Sequence, residues 1–222
     1  MVDYPSYYPT IQGDLLGRVN LLRFIREFCR IHEVGECYAM EFGVLNGESL
    51  IEIVRQLRGF VTDVVGFDSF EGLPELTDRD AASLDLLPAF HKGQFSGQRS
   101  AEVGRHISMS TQFPEENISL IEGYYSDTLR QYGLAQLPKK FPILVHMDCD
   151  LYSSTCDVLD FITDVVQDGT FLLADDFWCY RGSPKHGQHR AILEWEQDNG
   201  RVGLTPYSNY KGFGRAFIAY LK

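Results

Sequence analysis

The sequence predicts an α/β protein in which a mostly parallel sheet carries helices on both faces. Short apolar segments alternate with longer segments whose apolar residues recur every three or four positions, a pattern typical of strand–helix units. Hydrophobic residues make up 44% of the 222 residues and charged residues 23%, the balance of a globular protein. The length suits one domain, so residues 1–222 are predicted to form a single unit.

The first third of the chain predicts two helices and two strands. Apolar residues fall at helical spacing from Leu15 to Phe28, and Gly43 ends the strand that follows. Arg58-Gly59 ends the second helix, and a valine-rich segment comes next. In order, the predicted elements are a helix from Leu15, a strand over residues 37–42, a helix over 50–57 and a strand over 61–67.

The last part of the chain continues the alternation and ends differently. Residues 215–220 are rich in apolar and aromatic types, which predicts a final antiparallel pair of strands with a turn near Lys211-Gly212. The elements predicted before it are strands over residues 118–121, 143–147 and 170–174, a helix over 158–166 closed by Gly169, and a helix around 191–195 that stops near Gly200.

Two segments interrupt this alternation. Residues 1–14 are rich in Tyr and Pro, and we interpret residues 1–35 as an irregular arm followed by a lid helix. Residues 75–116 are polar and have no long apolar period. Because a long structureless stretch is uncommon inside a compact domain, we expect short helices there that cover an active site.

The composition argues against several classes of protein. The net charge is −11 and the basic residues are scattered, whereas nucleic-acid binding relies on clustered Lys and Arg. No apolar run is long enough to cross a membrane, and the start of the chain is unlike a signal peptide, so we expect a cytoplasmic protein. Five cysteines without C-x-x-C spacing indicate neither a zinc site nor a disulfide framework.

A glycine-containing loop, residues 43–49, joins the first strand to the second helix. Glycine at such a junction lets the backbone approach a ligand closely, although it is also found in turns that bind nothing. Asp68 ends the second strand, where a carboxylate can accept both hydroxyls of a ribose. Glu41 and Glu48 flank the glycines and would repel a pyrophosphate. The cationic S-adenosylmethionine is therefore favoured over a nicotinamide dinucleotide.

Aspartates follow two further strands. Asp148 and Asp150 come after one strand, and strand alternation predicts that both point to one side, with Cys149 on the other. Asp175 and Asp176 come after the next. Carboxylates that meet at one sheet edge need a compensating cation, and oxygen ligands favour magnesium, calcium or manganese. Each aspartate alone could instead cap a helix, but the set favours a metal.

Several of these segments together resemble the macrocin O-methyltransferase family, whose members act chiefly on sugars. The resemblance covers the chain from about Leu15 onwards. The matching stretches are residues 41–49, 66–74, 122–129, 148–155 and 175–176. It implies a Rossmann-like, seven-stranded methyltransferase sheet with a reversed last strand. It also implies magnesium bound by Asp148, Asp175 and Asp176, with Asp148 as the catalytic base.

The sequence features and the family resemblance together predict a metal-assisted O-methyltransferase that acts on a hydroxyl of a sugar-containing small molecule. No nucleic-acid or membrane partner is expected. A homodimer is one option for its assembly. The alternatives are a catechol-type methyltransferase, a nicotinamide-dependent oxidoreductase and a cofactor-binding protein without catalysis. The residues assigned to the cofactor S-adenosylmethionine are Glu41, Gly43, Asn46, Ser49, Asp68, Ser69, Gly123, Tyr125 and Asp148.

Two segments depart from the family pattern. The loop over residues 178–189 is longer and more basic than the family's, and its His186 and His189 are candidates for substrate contact. The arm at Tyr4 to Tyr8 has no counterpart that we can match. Both segments are expected to face the acceptor, so the family's known acceptors are not assigned to this chain.

Overall fold

The structure is a computed structural model that describes residues 14–81 and 90–222, so the arm at Tyr4 to Tyr8 lies outside the described residues. The strands are β1 (Cys37–Phe42), β2 (Val61–Asp68), β3 (Ile118–Glu122), β4 (Phe141–Met147), β5 (Phe171–Ala174), β6 (Val202–Tyr210) and β7 (Gly214–Leu221). The α-helices are α1 (Asp14–Ile31), α2 (Glu48–Gln56), α3 (Asp78–Ala81), α4 (Ser100–Thr111), α5 (Tyr125–Gln131), α6 (Tyr152–Ile162) and α7 (Gly187–Asp198).

All seven strands form one sheet in the order β3-β2-β1-β4-β5-β7-β6. The first five pair in parallel, whereas β7 is antiparallel to both β5 and β6. This is the predicted sheet with a reversed last strand. The order of the strands changes direction between β1 and β4, and ligands of open α/β sheets bind at such a point, beyond the carboxyl ends of the strands.

Apolar side chains cover both faces of the sheet. Met40 and Phe42 of β1 belong to one buried cluster together with residues of α6 and α7. Cys37 and Ala39 of the same strand belong to a second cluster, with residues of α1, α2 and α4. Successive strand residues point to opposite faces, so a strand buried on both sides is apolar throughout. These two clusters fix the position of the strand ends that carry the candidate site.

The structure differs from the sequence prediction over residues 75–116. The described part of this segment contains a helix of 12 residues, α4, in which Val103, Ile107 and Thr111 are buried. Helices are therefore present in this segment as expected, and the buried residues of α4, four apart, form a narrow stripe that was not recognised in the sequence. The helix packs against α2 and β3 as part of the main fold. In the described chain, no helix is long and apolar enough to span a bilayer.

Candidate active site

A cavity of about 370 Å³ lies beyond the carboxyl ends of β1, β2, β3 and β4. Loops from all four strands contribute to its lining, as expected for a ligand site of an open α/β sheet. The residues predicted to bind the cofactor that line this cavity are Gly43, Asp68, Ser69, Gly123, Tyr125 and Asp148. The fold therefore brings together most of a set whose members are far apart in sequence.

Glu41, Asn46 and Ser49 belong to the predicted set but do not line the cavity. Glu41 is fully buried within β1, and Ser49 is buried in the first turn of α2. Asn46 is exposed on the glycine loop. A direct cofactor contact by these three residues stays a prediction, and Glu41 has a different partner in the structure.

Gly43 is the position where two strand ends approach each other most closely. A Cβ atom placed on Gly43 would lie 1.7 Å from the carbonyl oxygen of Asp148, and its φ of 94° also disfavours any other residue. The Asp148 N–H donates to the carbonyl oxygen of Phe42 at 2.8 Å, so β1 and β4 stay paired up to this point. The glycine thus brings Asp148 directly beside the loop that follows β1.

Asp68 holds the glycine loop in place. Its Oδ2 accepts hydrogen bonds from the N–H groups of Val44 at 2.7 Å and Leu45 at 2.8 Å. Its Oδ1 accepts the N–H of Phe70 at 2.7 Å. The side chain that was predicted to bind a ribose therefore also fixes the loops on both sides of the cavity, because one carboxylate can accept several hydrogen bonds.

A chain of buried charges runs beneath the aspartates. His146 Nδ1 lies 2.6 Å from Glu41 Oε1, and His146 Nε2 lies 3.2 Å from Asp175 Oδ1. Lys211, from the turn between β6 and β7, donates to Asp175 Oδ2 at 2.6 Å. Both ring nitrogens of His146 face carboxylates, so a doubly protonated imidazolium can donate to Glu41 Oε1 and to Asp175 Oδ1 at once. Lys211 and His146 supply positive charge that the sequence analysis had expected from a metal alone.

The pKa values of these groups follow from that arrangement. Burial lowers the pKa of His146, but its contacts with Asp175 and Glu41 outweigh burial and raise the pKa to about 10. Burial raises the pKa of Asp175, but the hydrogen bond and charge of His146 and the charge of Lys211 hold it below its ordinary value. Asp175 is therefore an anion whose charge is already balanced by two cations.

The pKa values of Asp148, Asp150 and Asp176 are raised, in contrast to that of Asp175. Burial is the first cause of a raised pKa in all three, and neighbouring carboxylates add to it. The pKa of Asp150 rises to about 8, with Asp148 as the largest charged contributor. Asp148 and Asp150 both line the cavity. These carboxyl groups therefore keep their protons more readily than exposed ones, and a bound cation would favour their charged forms.

The aspartates that follow β4 and β5 do not converge because of strand alternation. β4 ends at Met147, before both aspartates, and Asp150 has a φ of 56°. Asp148, Asp175 and His146 each place one ligand atom within 4.8 Å of the others. Asp176 lies outside that group and accepts the N–H of Asp150 at 3.1 Å. The structure therefore brings Asp148 and Asp175 together and links Asp176 to them through the backbone of Asp150.

Two residues that hold this edge, Lys211 and Gln188, were not predicted from the sequence. Gln188 is fully buried; its Nε2 donates to the carbonyl oxygen of Met147 at 3.1 Å, and its Oε1 accepts the N–H of Asp176 at 3.0 Å. It thereby joins the ends of β4 and β5. The only sequence signal was the position of Gln188 in the long loop after Asp176, and Lys211 was assigned to a turn.

The loop over residues 178–189 packs on the protein rather than extending away from it. The His189 ring stacks on Phe177 with centroids 4.0 Å apart, and burial lowers its pKa. Tyr180 is buried and its hydroxyl lies 3.4 Å from the carbonyl oxygen of Asp150. Phe90 contacts both Tyr180 and Phe95, and Phe95 lines the cavity while being 47% exposed. Aromatic side chains therefore connect the cavity mouth with the aspartates.

Comparison with known proteins gives one family match and several relatives. The profile of the macrocin-O-methyltransferase family matches residues 3–197, so the match begins before Leu15 and ends before β6. A 4'-O-methyltransferase of Streptomyces olivaceus that acts on 8-demethyl-8-(2,3-dimethoxy-alpha-L-rhamnosyl)-tetracenomycin-C is 28% identical over 183 residues, 79% of this chain and 65% of that protein. Demethyldecarbamoylnovobiocin O-methyltransferase of Streptomyces niveus is 28% identical over 110 residues, 50% of this chain and 40% of that protein.

The chain therefore spans about two thirds or less of the length of these two relatives. Among solved structures, the calicheamicin methyltransferase CalS11 is similar with a TM-score of 0.70 and 20% identity, over 94% of this chain and 80% of that one. At that identity the likeness shows a shared fold.

Proposed function

Because the chain belongs to the macrocin O-methyltransferase family, we propose that it transfers the methyl group of S-adenosylmethionine to a hydroxyl of a sugar-containing small molecule. One observation carries the proposal. The glycine loop, Asp68 and Asp148 line a single cavity at the strand ends, although they come from three different strands. The relative that acts on a rhamnosyl-tetracenomycin supports the choice of acceptor class.

The charge of the cavity suits this donor. Asp148 and Asp150 line it, and the sulfonium and amine of S-adenosylmethionine are cations that carboxylates attract. We assign Asp68 and Ser69, which line the cavity, to the ribose hydroxyls, and Tyr125, which also lines it, to the adenine. A pyrophosphate would meet the same carboxylates and be repelled, which disfavours a nicotinamide cofactor.

Asp148 is the residue that we assign to proton transfer. Methyl transfer needs the acceptor oxygen, the methyl carbon and the leaving sulfur in line, so holding both substrates supplies much of the rate. The acceptor hydroxyl becomes a good nucleophile only when its proton leaves. Burial and nearby carboxylates raise the pKa of Asp148, as a general base requires. Gly43 and the pairing of β1 with β4 hold this carboxylate beside the donor cavity.

The residues at this edge fit a magnesium ion. Asp148 and Asp175 converge, Asp176 is adjacent, and all three offer carboxylate oxygens, the ligands that magnesium prefers. His146 converges with them but uses both ring nitrogens on Glu41 and Asp175. We therefore assign the metal to Asp148, Asp175 and Asp176. Bound there, magnesium would lower the pKa of a coordinated hydroxyl.

Two further parts of the proposal concern the surroundings of the site. We assign residues 72–77 and Phe95, which line the cavity, to its cover, together with the loop over 178–189. We place the protein in the cytoplasm, as its five cysteines are free thiols, and assign it no nucleic-acid partner because its net charge is −11. A homodimer stays a prediction that light scattering can test.

Ligand binding followed by an acceptor panel tests the proposal. S-adenosylhomocysteine at a hundred times its dissociation constant should stabilise the protein by about 2.7 kcal/mol, whereas NAD should not. For a chain of this size that is a rise in melting temperature of roughly 5–10 °C. Labelled donor should then methylate glycosides in preference to catechols. A shift with NAD and none with S-adenosylhomocysteine would overturn the donor, and a preference for catechols would overturn the acceptor class.

A further inference from the structure

We propose that Asp80 is a positioning residue that fastens the cavity wall at residues 72–77 to the start of α6. The inference rests on the proposed function for the identity of the ligand, but the contact itself is independent of it. Asp80 is only 3% exposed although it lies in the short helix α3, which has four residues. A buried carboxylate in so short a helix needs partners from elsewhere in the fold.

Those partners come from the two sides of the cavity. Asp80 Oδ1 accepts the N–H of Ser153 at 3.0 Å, and Oδ2 accepts the Ser153 hydroxyl at 2.7 Å. Oδ2 also accepts the hydroxyl of Thr77 at 2.6 Å and its N–H at 3.0 Å. Thr77 and Ser153 both line the cavity. One carboxylate thus ties a residue of the wall to a residue of α6, 76 positions later in the chain.

The contact is also favourable for α6. The residue that precedes this helix is Leu151, whose side chain gives no capping hydrogen bond. Asp80 supplies the missing acceptor at the first turn, where the helix dipole favours a negative charge. The Asp80 carboxylate therefore both caps the first turn of α6 and anchors the wall.

Among the described residues, the other side-chain contacts of the wall near Thr77 are exposed, such as that of Glu75 with Lys92 at 2.8 Å. Residues 72–77 contain no helix or strand. At the other end of the wall, Leu73 is paired with the loop at residues 93–94 by two backbone hydrogen bonds of 2.8 and 2.9 Å. Beyond Asp80, Arg79 donates to the Tyr152 hydroxyl at 3.2 Å, but Arg79 is an exposed side chain. Asp80 is therefore the buried anchor of this end of the wall.

Asp80→Asn tests the anchor with almost no change of volume. The amide keeps an acceptor for the Ser153 N–H but replaces Oδ2, so the Thr77 N–H faces a donor. Asp78→Asn is the matched control, because Asp78 is an exposed carboxylate of the same helix. We expect the dissociation constant of S-adenosylhomocysteine to rise about tenfold in Asp80→Asn, the scale of one lost hydrogen bond to a charged group, and to stay unchanged in Asp78→Asn.

Two further readouts separate positioning from general destabilisation. In Asp80→Asn, the KM for the methyl donor should rise while kcat at saturating donor changes much less. Without ligand, amide exchange of residues 72–77 should be faster than in Asp78→Asn, with β1 unchanged. Ser153→Ala removes one of the same bonds, should weaken binding by less and should add little to Asp80→Asn. It also carries the test if Asp80→Asn does not fold.

Failure of the Asp80 anchor and failure of the proposed function would give different results. Equal affinity for S-adenosylhomocysteine in Asp80→Asn and Asp78→Asn, with equal exchange of residues 72–77, would overturn the anchor and leave the proposed function intact. No binding of S-adenosylhomocysteine by the wild-type protein would overturn the proposed function. In that case faster exchange of residues 72–77 in Asp80→Asn would still support the anchor, and unchanged exchange would overturn it as well.

Discussion

Around the cavity, several non-glycine residues adopt left-handed backbone angles. Leu45 has a φ of 49°, Phe95 of 63°, Asp150 of 56° and Lys211 of 50°. Such angles are uncommon for residues that carry a Cβ, and each costs of order 1–3 kcal/mol, which surrounding contacts must offset. Residues of this kind cluster at active sites, where the strained backbone aims a side chain. Their concentration here agrees with placing catalysis at this edge of the sheet.

Asp148→Asn should nearly abolish methyl transfer. The amide can still bind a metal but cannot accept a proton near neutral pH, so we expect kcat to fall by roughly 10²-fold or more. The measurement is turnover with labelled donor at several magnesium concentrations. Added magnesium should not restore activity, and binding of S-adenosylhomocysteine should persist as a check on folding. Full recovery in excess magnesium would show that Asp148 is a ligand only.

Asp176→Asn should behave differently from Asp148→Asn. Its carboxylate is assigned to metal binding alone, so the variant should need more magnesium and regain part of its activity in excess metal. Asp175→Asn should lose metal affinity too, and should also be less stable because Lys211 and His146 would lose their anionic partner. Calorimetric titration with magnesium measures both affinities. Full wild-type activity in excess chelator would remove the metal from the mechanism.

Stability should fall as pH rises above neutrality, because of His146. Its pKa is about 10 in the folded protein, and an unfolded histidine has a pKa of about 6.5. The stabilisation is fully present below about pH 6.5, decreases as pH rises and is lost above the folded pKa. Urea denaturation in the presence of chelator measures the free energy of unfolding across this pH range. This free energy should decrease with pH in the wild type and decrease less steeply in His146→Gln.

The control for that measurement is His106→Gln, at an exposed position of α4, which should keep the wild-type slope. Identical slopes in His146→Gln and wild type would contradict the buried chain of charges. Salt should change the result little, since buried charges are screened weakly.

The sequence predicted the aspartates but not the groups that hold them. Asp148, Asp175 and Asp176 follow apolar strands directly, and parallel strands carry their carboxyl ends to one edge. Lys211 and Gln188 have no such signal. Lys211 reaches Asp175 across 36 positions of the chain, by a contact that depends on where the last hairpin docks. Periodicity describes single elements and cannot predict such pairs.

At the scale of elements, α4 supports the glycine loop. A Cβ atom placed on Gly47 would lie 2.9 Å from side-chain atoms of Ile107 and of Val103, so the apolar stripe of α4 rests on the start of α2. The final carbonyl groups of α4 also accept hydrogen bonds from Arg55 at 3.0 Å and Arg58 at 2.6 Å. The helix is therefore held at both its apolar face and its C-terminal end.

Ile107→Ala should destabilise the fold by about 2–5 kcal/mol, because the side chain is fully buried and its removal leaves a cavity. Urea denaturation followed by circular dichroism measures the loss. Met109→Ala in the same helix is the control; Met109 is 82% exposed, so the change should stay within roughly 0.5 kcal/mol. Similar losses in both variants would argue against packing of α4 on the glycine loop.

The strands and most helices were predictable, but for α4 only the presence of a short helix was expected, not its bounds or its packing, for one physical reason. A strand such as β1 is buried on both faces and is therefore apolar at nearly every position. Helix α4 buries only Val103 and Ile107 as large apolar residues, its third large apolar residue, Met109, is exposed, and most of its other residues are polar. A stripe so narrow is hard to distinguish from the spacing of apolar residues in a loop.

At the scale of the whole molecule, ligand binding should change the exchange of the cover more than that of the sheet. Residues 72–77, Phe95 and residues 178–189 should become protected from hydrogen exchange when S-adenosylhomocysteine and an acceptor bind, since segments around ligand sites are drawn from the less stable parts of a fold. The central strands β1 and β4 are the internal control and should not change. Equal exchange with and without ligands would show that these segments are surface loops without a covering role.

The position of β7 has a consequence for biosynthesis. β7 follows β6 in the chain but lies between β5 and β6 in the sheet. On the ribosome, a nascent chain that has emerged only as far as β6 has no strand to pair with either β5 or β6, and both edges stay open to other chains. Lys211 lies in the turn between the last two strands, so it can reach Asp175 only when β7 has inserted. The insertion of β7 therefore completes the sheet and places the Lys211 cation beside Asp175 in the same step. A nascent chain that lacks β7 has neither feature.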